Sequence, residues 1–358
     1  MDIIPENIQK RIKKINEFDG QIGFGAKSFN NITNRTGQGK PSSGYMTPEQ
    51  QKIIKDSQNN RFTKINEEDW TNLKVCPICD EAEAEEFVER LGLRYVRCCK
   101  CSHVYQNPVI KKEKAAELYS ADKTSHAIYS VDLQKEIDRK KYNYGLDLIE
   151  LFKPLHSKSK ILDIGCGSGI FSIEALKRGY YKSVGADANE SFLSSYPKSE
   201  EGLIFITNYF EELRAEELGD NYDAITMWSC LEHIYDPKIF LAQLNKLLNK
   251  EGLLFILVPN VRSLATRLMR EKSPCFTWKH PHYFNINSLD LLMNQVGLIN
   301  IHRETVISEI DNIKSYMSGE YPYHGFGDPE NLFDFITPEY IHENMLGSRL
   351  ISIYKKIE

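Results

Sequence analysis

From Lys160 onward the sequence alternates short apolar segments with helical stretches. The apolar segments lie at 160–164, 182–186, 203–207, 222–228 and 252–258. Helical patterns separate them, for example at 169–178 and 237–249. Regular strand–helix alternation favours a parallel sheet that is covered by helices on both faces. We therefore predict an α/β fold with a doubly wound, mostly parallel sheet.

The first strand of this alternation runs into a glycine-rich turn. The turn reads D-I-G-C-G-S-G from Asp163 to Gly169. Three glycines let the backbone approach a ligand without a Cβ in the way. The spacing differs from the dinucleotide fingerprint G-x-G-x-x-G, and a pyrophosphate disfavours a nearby carboxylate. Asp163 is better suited to a ligand that carries an ammonium group.

A second acidic residue, Asp187, ends the next strand, 24 residues after Asp163. An acid at this place can accept hydrogen bonds from both ribose hydroxyls of an adenosine. Each part alone is common, because glycine turns are frequent and an Asp after a strand often caps a helix. The two parts in this order and spacing indicate a nucleoside-containing ligand.

The glycine turn, Asp187 and the block from Asp223 to His233 together resemble the class I S-adenosylmethionine-dependent methyltransferases. The resemblance covers about residues 134–358. It implies a Rossmann-like seven-stranded sheet with S-adenosylmethionine as the cofactor. Many members have an acidic residue after the third strand that contacts the adenine amino group. This chain has none at that position, so adenine contact would fall to Asn208, or to Tyr209 by stacking. The implied cofactor-binding residues are Asp163, Gly165, Gly167, Gly169, Asp187, Ala188, Asn208, Tyr209 and Trp228.

The fourth strand leads into a candidate catalytic segment that ends in Glu232 and His233. In open α/β sheets, ligands bind at the carboxyl ends of the strands. Methyl transfer to a hydroxyl requires removal of its proton, and a His with a neighbouring carboxylate can do this near neutral pH. His233 beside Glu232 is therefore the candidate general base. In the alternative, both residues only hydrogen-bond the loop and support the cofactor pocket.

Aromatic and imidazole side chains follow the fifth strand, and the resemblance places such a segment over the acceptor pocket. These groups suit a sugar or another small polar acceptor, although routine loop packing is the alternative for any single one. The predicted substrate-binding residues are His280, His282, Tyr283 and, in a later loop that could complete a lid, Tyr321.

Five of the eight cysteines lie between positions 76 and 101. Four of them form two C-x2-C knuckles separated by eighteen residues, which is the spacing of a four-thiolate zinc site. A hairpin over 86–96 can join the knuckles, Cys99 is a spacer, and His103 is a less favoured substitute ligand. Such a site is closed, so the zinc would be structural. The predicted ligands are Cys76, Cys79, Cys98 and Cys101.

The alternative for the cysteines is a set of free or disulfide-bonded thiols. The N-terminus has no secretory signal pattern, so stable disulfides are disfavoured and a cytoplasmic location is expected. The predicted organisation has four parts. They are a partly irregular polar extension at 1–70, a zinc-ribbon module at 71–110, a helical connector at 111–157 and a methyltransferase domain at 158–358.

A zinc knuckle pair ahead of a class I domain is similar to methyltransferases of nucleotide-sugar and polysaccharide pathways. The resemblance implies a small-molecule acceptor, above all a sugar or sugar nucleotide, with O- or N-methylation favoured and C-methylation also open. Two other functions remain, an RNA methyltransferase that grips nucleic acid with its zinc module and a non-catalytic protein that binds S-adenosylmethionine. A net charge of −5 without a basic–aromatic tract disfavours nucleic acid. No apolar run approaches the roughly 20 residues of a membrane span, and the oligomeric state is left open.

Overall fold

The structure is a computed structural model that describes most of the chain from residue 65 onward. The described residues are 65–90, 92–120, 132–189, 201–208, 215–273, 275–310, 313 and 336–357. The predictions for the extension at 1–64, for Tyr209 and for Tyr321 lie outside these residues.

In chain order, the strands are β1 (Trp70–Thr71), β2 (Ala84–Arg90), β3 (Leu93–Cys98), β4 (Val104–Gln106), β5 (Val109–Ile110), β6 (Lys160–Ile164), β7 (Lys182–Asp187), β8 (Leu203–Thr207), β9 (Tyr222–Trp228), β10 (Leu248–Pro259), β11 (His282–Tyr283), β12 (Leu298–Val306) and β13 (Arg349–Lys356). The helices are α1 (Lys112–Ser120), α2 (Asp132–Phe152), α3 (Ile170–Lys177), α4 (Ala215–Leu218), α5 (Pro237–Leu247), α6 (Leu264–Met269), α7 (Ile286–Gln295) and α8 (Pro338–Glu343).

The main sheet has seven described strands in the order β12-β13-β10-β9-β6-β7-β8. The strands from β10 to β8 pair in parallel, and β13 runs antiparallel to both of its neighbours. The doubly wound, mostly parallel sheet predicted from the sequence is confirmed. Every residue of β9 is buried, as expected for a central strand that is covered on both faces.

Helices cover both faces of this sheet because its strands are apolar on both sides. On one face, residues of α2 and α3 form a core with Ile161, Ala224 and Trp228. On the other face, α5 and α7 pack against Ile225 and Met227. Successive residues of β9 therefore face opposite cores, as the two-residue period of a strand requires. This arrangement leaves the carboxyl ends of β6, β7 and β9 together at one edge of the sheet.

The cysteine-rich segment folds around an antiparallel sheet in the order β11-β4-β3-β2. β2 and β3 form the hairpin that was expected between the two knuckles. The outer strand β11 comes from the chain after β10, with His282 opposite Tyr105 and Tyr283 opposite Val104. One sheet therefore contains strands from both the predicted zinc-ribbon module and the predicted methyltransferase domain.

Side-chain hydrogen bonds add to this junction. Asn285 Nδ2 donates to the carbonyl oxygen of Ser102 at 2.8 Å, and Gln295 Nε2 donates to that of Ile78 at 3.0 Å. Both donors belong to α7 or its N-cap. The cysteine-rich segment is thus fixed against the helix that follows the candidate acceptor loop.

In the part of the chain that the structure describes, none of the helices combines the length and the apolar character needed to cross a bilayer.

Candidate active site

The glycine-rich turn after β6 has a backbone that requires glycine. Gly165, Gly167 and Gly169 have φ angles of 75°, 50° and 69°, all in the left-handed region. A Cβ on Gly169 would lie 2.6 Å from the ring of Phe205, so this glycine permits close packing. A Cβ on Gly167 would meet no described atom within 4 Å. The turn therefore presents bare backbone to open space at Gly167.

Asp187 lies directly against this turn at the end of β7. Its carboxylate accepts hydrogen bonds from the backbone N–H of Gly167 at 2.8 Å and from that of Asn189 at 2.9 Å. Burial raises the pKa of Asp187, while these N–H groups oppose the rise. The backbone N–H of Asn208 donates to the carbonyl oxygen of Asp187 at 3.1 Å. The structure thus brings Asp187, Asn208 and the glycine turn together, with Ala188 beside them in the chain.

Asp163 is buried in the middle of the sheet edge. Thr226, its partner in the register of β6 and β9, donates a hydrogen bond from Oγ1 to Asp163 Oδ1 at 2.6 Å. Burial raises the pKa of Asp163 to about 8, and the Thr226 hydrogen bond partly opposes this rise. A cationic ligand group beside Asp163 would stabilise its ionised form.

Trp228 ends β9 on the same face of the strand as Thr226. Its ring packs against Tyr142, Phe171 and Phe255, with centroid distances of 5.0, 5.7 and 4.5 Å. A Cβ on Gly145 of α2 would lie 2.3 Å from the indole, so this glycine makes room for the ring. Within the described residues, the indole Nε1 is buried without a hydrogen-bond partner. The predicted contact of Trp228 with a cofactor stays a prediction.

His233 lies in a single 3-10 turn, Leu231–His233, just after the carboxyl end of β9. Its Nδ1 is 2.8 Å from the carbonyl oxygen of Lys279 and also contacts the hydroxyl of Tyr119 in α1. A carbonyl oxygen can only accept a hydrogen bond, so Nδ1 carries the proton and the lone pair of the neutral ring is on Nε2. Burial lowers the pKa of His233 to about 4, although hydrogen bonds with the backbone of Lys279 and of Ser229 oppose this change. The imidazole is therefore neutral near pH 7.

Glu232 precedes His233 and is 1% exposed. Neither of its carboxyl oxygens has a hydrogen-bond partner among the described residues. Burial raises the pKa of Glu232 to about 8, so the group is mainly a neutral acid at pH 7. Glu232, His233 and His280 each place one side-chain N or O atom within 4.8 Å of the others. The structure thus brings the two predicted catalytic residues together with one predicted acceptor residue.

His282 and Tyr283 have a different place from His280. His282 is buried and contacts His103 through Nδ1, at 3.1 Å, and the carbonyl oxygen of Tyr235 through Nε2, at 3.3 Å. Tyr283 is also buried, and its hydroxyl donates to the carbonyl oxygen of Thr277. Both side chains already have protein partners in the interior. These positions are those of supporting residues and give no support to the predicted contact with a substrate.

The four predicted zinc ligands lie together. Their sulfur atoms are all within 4.8 Å of one another, with Cys76–Cys101 at 3.6 Å and Cys79–Cys98 at 3.5 Å. A disulfide needs about 2.0 Å, whereas sulfurs around a zinc with bonds of about 2.3 Å are roughly 3.8 Å apart. The donor set and its spacing therefore fit a tetrahedral zinc ion.

The two knuckles have the same local geometry. In each, the residue after the second cysteine, Asp80 or Ser102, has a φ near 60° and donates its N–H to the carbonyl of the first cysteine. Cys99 is exposed, as expected for a spacer. His103 points instead into the interior, where it contacts His282, so the four sulfurs form the cluster without it.

Three contributors to the site were not predicted from the sequence. Tyr119 comes from α1, 114 positions before its partner His233, and the periodicity of a short helix gives no sign of such a contact. Lys279 contributes a backbone carbonyl, which no side-chain pattern reveals. Thr226 could have been found from the alignment of β6 with β9 once the sheet order was known.

The sheet order, the left-handed glycine turn and the acid at the end of β7 define the fold of class I methyltransferases. Residues 136–303 match a family model described as a methyltransferase domain. The chain therefore contains a class I S-adenosylmethionine-dependent methyltransferase domain.

Curated relatives include ubiquinone biosynthesis O-methyltransferases of bacteria. That of Methylococcus capsulatus is 33% identical over 116 residues, which cover 31% of this chain and 47% of the relative. That of Rhizobium etli is 30% identical over 160 residues, covering 43% of this chain and 63% of the relative. The chain thus spans about half the length of the curated relatives it matches.

Among solved structures, the chain partly matches magnesium protoporphyrin IX methyltransferase from Synechocystis, with bound SAH. It is 12% identical, covers 69% of this chain and 100% of its own, and has a TM-score of 0.47. The plantazolicin methyltransferase BamL is 16% identical, covers 68% of this chain and 95% of its own, and has a TM-score of 0.46.

Proposed function

We propose that the protein is a methyltransferase that uses S-adenosylmethionine to methylate a hydroxyl oxygen of a small-molecule acceptor, with His233 as the general base. One observation carries this proposal. At the carboxyl edge of the sheet, the Lys279 carbonyl holds the proton of His233 on Nδ1, which places the basic lone pair on Nε2. A neutral imidazole with a fixed tautomer is the form that a general base needs.

The cofactor would be held by the edge formed by β6 and β7. The turn with Gly165, Gly167 and Gly169 would border its methionine part, and Asp163 would favour its ammonium group. Asp187, with Ala188 and Asn208 beside it, would accept hydrogen bonds from the ribose. When bound, S-adenosylmethionine supplies an electrophilic methyl group. The open space at Gly167, where a Cβ would meet no described atom, supports this placement.

In the reaction, Nε2 of His233 would take the proton of the acceptor hydroxyl while that oxygen bonds to the methyl carbon. The bond from this carbon to the cofactor sulfur would break, and its electron pair would stay on the sulfur of the departing SAH. Imidazolium then forms, and the Lys279 carbonyl on Nδ1 stabilises it. In its ionised form, the Glu232 carboxylate, which has an oxygen within 4.8 Å of a His233 nitrogen, would stabilise this imidazolium. Holding the acceptor within attacking distance is the other requirement, because methyl transfer is an in-line displacement.

The acceptor is proposed to be a ring molecule that bears hydroxyl groups, and a sugar remains the class predicted from the sequence. The names of the curated relatives support O-methylation over N- or C-methylation. The half-buried rings of Tyr119 and Trp278, with centroids 5.9 Å apart, offer flat surfaces beside His233. Lys279 places its ammonium 5.7 Å from both ring centroids, which favours an acceptor with an anionic group.

We also propose that Cys76, Cys79, Cys98 and Cys101 hold a structural zinc ion. With four thiolate ligands the ion would have no open position, so it would fix the fold and take no part in the chemistry.

Labelled S-adenosylmethionine with a panel of sugar nucleotides, phenols and RNA tests the proposal, using wild type, His233→Gln and His156→Gln. The exposed His156 contacts Asp223 at the opposite end of β9 and provides the matched control. We expect label in a hydroxylated small molecule, a loss of at least about 100-fold in kcat for His233→Gln, and little change in the control. Label in RNA alone would overturn the proposed acceptor. Tight cofactor binding without any transfer would favour the non-catalytic function.

A further inference from the structure

We propose that Tyr119 is a positioning residue for the reaction: its hydroxyl, together with the Lys279 carbonyl, holds His233 in the tautomer that leaves Nε2 basic. The inference rests on the proposed function, in which His233 is the general base. Tyr119 lies in α1, before the segment 136–303 that matches the methyltransferase family model. The residue that positions the general base, Tyr119, would therefore lie outside the segment that matches the family model.

Three polar groups meet at this point. The hydroxyl of Tyr119 donates a hydrogen bond to the Lys279 carbonyl oxygen at 3.1 Å, and His233 Nδ1 lies 2.8 Å from the same oxygen. The Tyr119 oxygen also contacts Nδ1 directly. Since the Tyr119 hydrogen is directed to the carbonyl, its oxygen lone pairs face the Nδ1–H group. Two acceptors thus converge on one imidazole N–H.

This arrangement discriminates between the two neutral tautomers of His233. If the proton were on Nε2, the bare Nδ1 would face the Lys279 carbonyl at hydrogen-bond distance, lone pair against lone pair. Tyr119 strengthens the preference, because it both accepts from Nδ1–H and holds the carbonyl in place. The same two acceptors stabilise the imidazolium that forms when Nε2 takes a proton, and hydrogen bonds to a charged group are the stronger ones.

The surroundings of Tyr119 suit a fixed position. Its ring is edge-on to that of His233, with centroids 5.4 Å apart, and tilted against Trp278 at 5.9 Å. The tyrosine is half-buried, and α1 places it against the loop that contains Lys279. This contact ties the connector helix to the acceptor loop at the position of the base.

Tyr119→Phe removes the hydroxyl and keeps the ring. Tyr181→Phe is the matched control, because Tyr181 is 64% exposed and lies just before β7. The chain has nine histidines, so His233 resonances in ¹⁵N-histidine-labelled protein are assigned by their absence in His233→Gln. In wild type and in Tyr181→Phe we expect a protonated Nδ1 and an unprotonated Nε2. In Tyr119→Phe we expect a mixture of both tautomers.

The kinetic expectation is a fall of roughly tenfold in kcat for Tyr119→Phe, the effect of losing one hydrogen bond to a group that becomes charged. The KM for the acceptor and the Kd for SAH should change less than twofold. A ring-fluorinated tyrosine at position 119 keeps the hydroxyl and should restore both the tautomer and kcat. It also shows whether any effect of the phenylalanine arises from altered packing.

Two results would overturn the inference. One is an unchanged His233 tautomer in Tyr119→Phe, whatever the activity. The other is a higher KM with kcat unchanged, which would make Tyr119 an acceptor contact only. The tautomer is measured without methyl transfer, so it separates this inference from the proposed function. If His233→Gln keeps full activity while Tyr119→Phe still shifts the tautomer, His233 is positioned as described but is not the base.

Discussion

His103 donates a hydrogen bond from Nε2 to Nδ1 of His282 across 3.1 Å, and both imidazoles are buried. The direction follows from the Tyr235 carbonyl, which accepts from Nε2–H of His282 and so leaves Nδ1 of that residue as an acceptor. Tyr235 lies two positions after His233. These two hydrogen bonds, from His103 to His282 and from His282 to Tyr235, therefore link the cysteine-rich segment to the loop of the candidate base.

Replacement of His282 by Ala should expose the cost of breaking this link. Nε2 of His103 would keep its buried N–H without an acceptor, and an unpaired buried polar group destabilises a fold by about 2 kcal/mol. We expect that decrease in the free energy of unfolding, measured by urea denaturation. His156→Ala is the control because its side chain is 54% exposed, and it should cost less than about 1 kcal/mol. Equal losses in both variants would show that the histidine pair contributes nothing special.

Removal of one zinc ligand should impair the acceptor site more than the cofactor site. Cys98→Ser should reduce the zinc content from one ion per chain, measured by elemental analysis, since a four-thiolate site loses a ligand. β3 carries Cys98, and β4 beside it pairs with β11 below the acceptor loop. We therefore expect KM for the acceptor to rise at least about fivefold, with the Kd for SAH within twofold.

Cys99→Ser provides the matched control for this experiment, because Cys99 is the exposed neighbour of Cys98 in the same knuckle. It should keep one zinc ion and wild-type kinetics. Zinc retained in full by Cys98→Ser would contradict the four-thiolate site. A second equivalent of metal, lost only in His280→Ala, would place another ion at the group formed by Glu232, His233 and His280.

The sequence allowed the fold to be predicted well because apolar periodicity and turn residues are local signals. The strands at 203–207 and 222–228 lie where they were expected, and so do the cysteine knuckles. The interior positions of His282 and Tyr283 could not be predicted, since they result from β11 pairing with a strand 177 or more positions earlier. The sequence does not distinguish a His or Tyr that lines a pocket from one that is buried in a core. Only its contacts in the folded protein determine which position it takes.

Glu232→Gln should change the pH dependence of stability in a defined direction. In the folded protein burial raises the pKa of Glu232 to about 8, whereas an unfolded chain has a Glu pKa near 4.5. Between these values the folded state binds more protons, so the stability of the wild type falls as the pH rises through this window. The Gln variant has no such group. We expect its stability relative to wild type to increase by roughly 3–4 kcal/mol from pH 5 to pH 8.

Urea denaturation at both pH values measures this difference, and Glu217→Gln in the exposed part of α4 is the control. A stability difference between Glu232→Gln and wild type that does not vary with pH would show that Glu232 is ionised in the folded protein. Activity adds an independent readout. If the Glu232 carboxylate stabilises the imidazolium of His233, the variant loses activity although it is more stable.

Gly167→Ala tests whether the open side of the glycine turn is the cofactor site. Gly167 has a φ of 50° and a Cβ there would meet no described atom within 4 Å, so the substitution costs only the left-handed strain of about 1–2 kcal/mol. Gly92→Ala is matched, because Gly92 also has a positive φ, of 77°, and no described atom within 4 Å of its Cβ, in the turn between β2 and β3. Both variants should fold with similar losses of stability. Only Gly167→Ala should weaken SAH binding, by at least about tenfold in Kd, when titrated calorimetrically. If both variants bind SAH alike, the cofactor does not approach the backbone at Gly167.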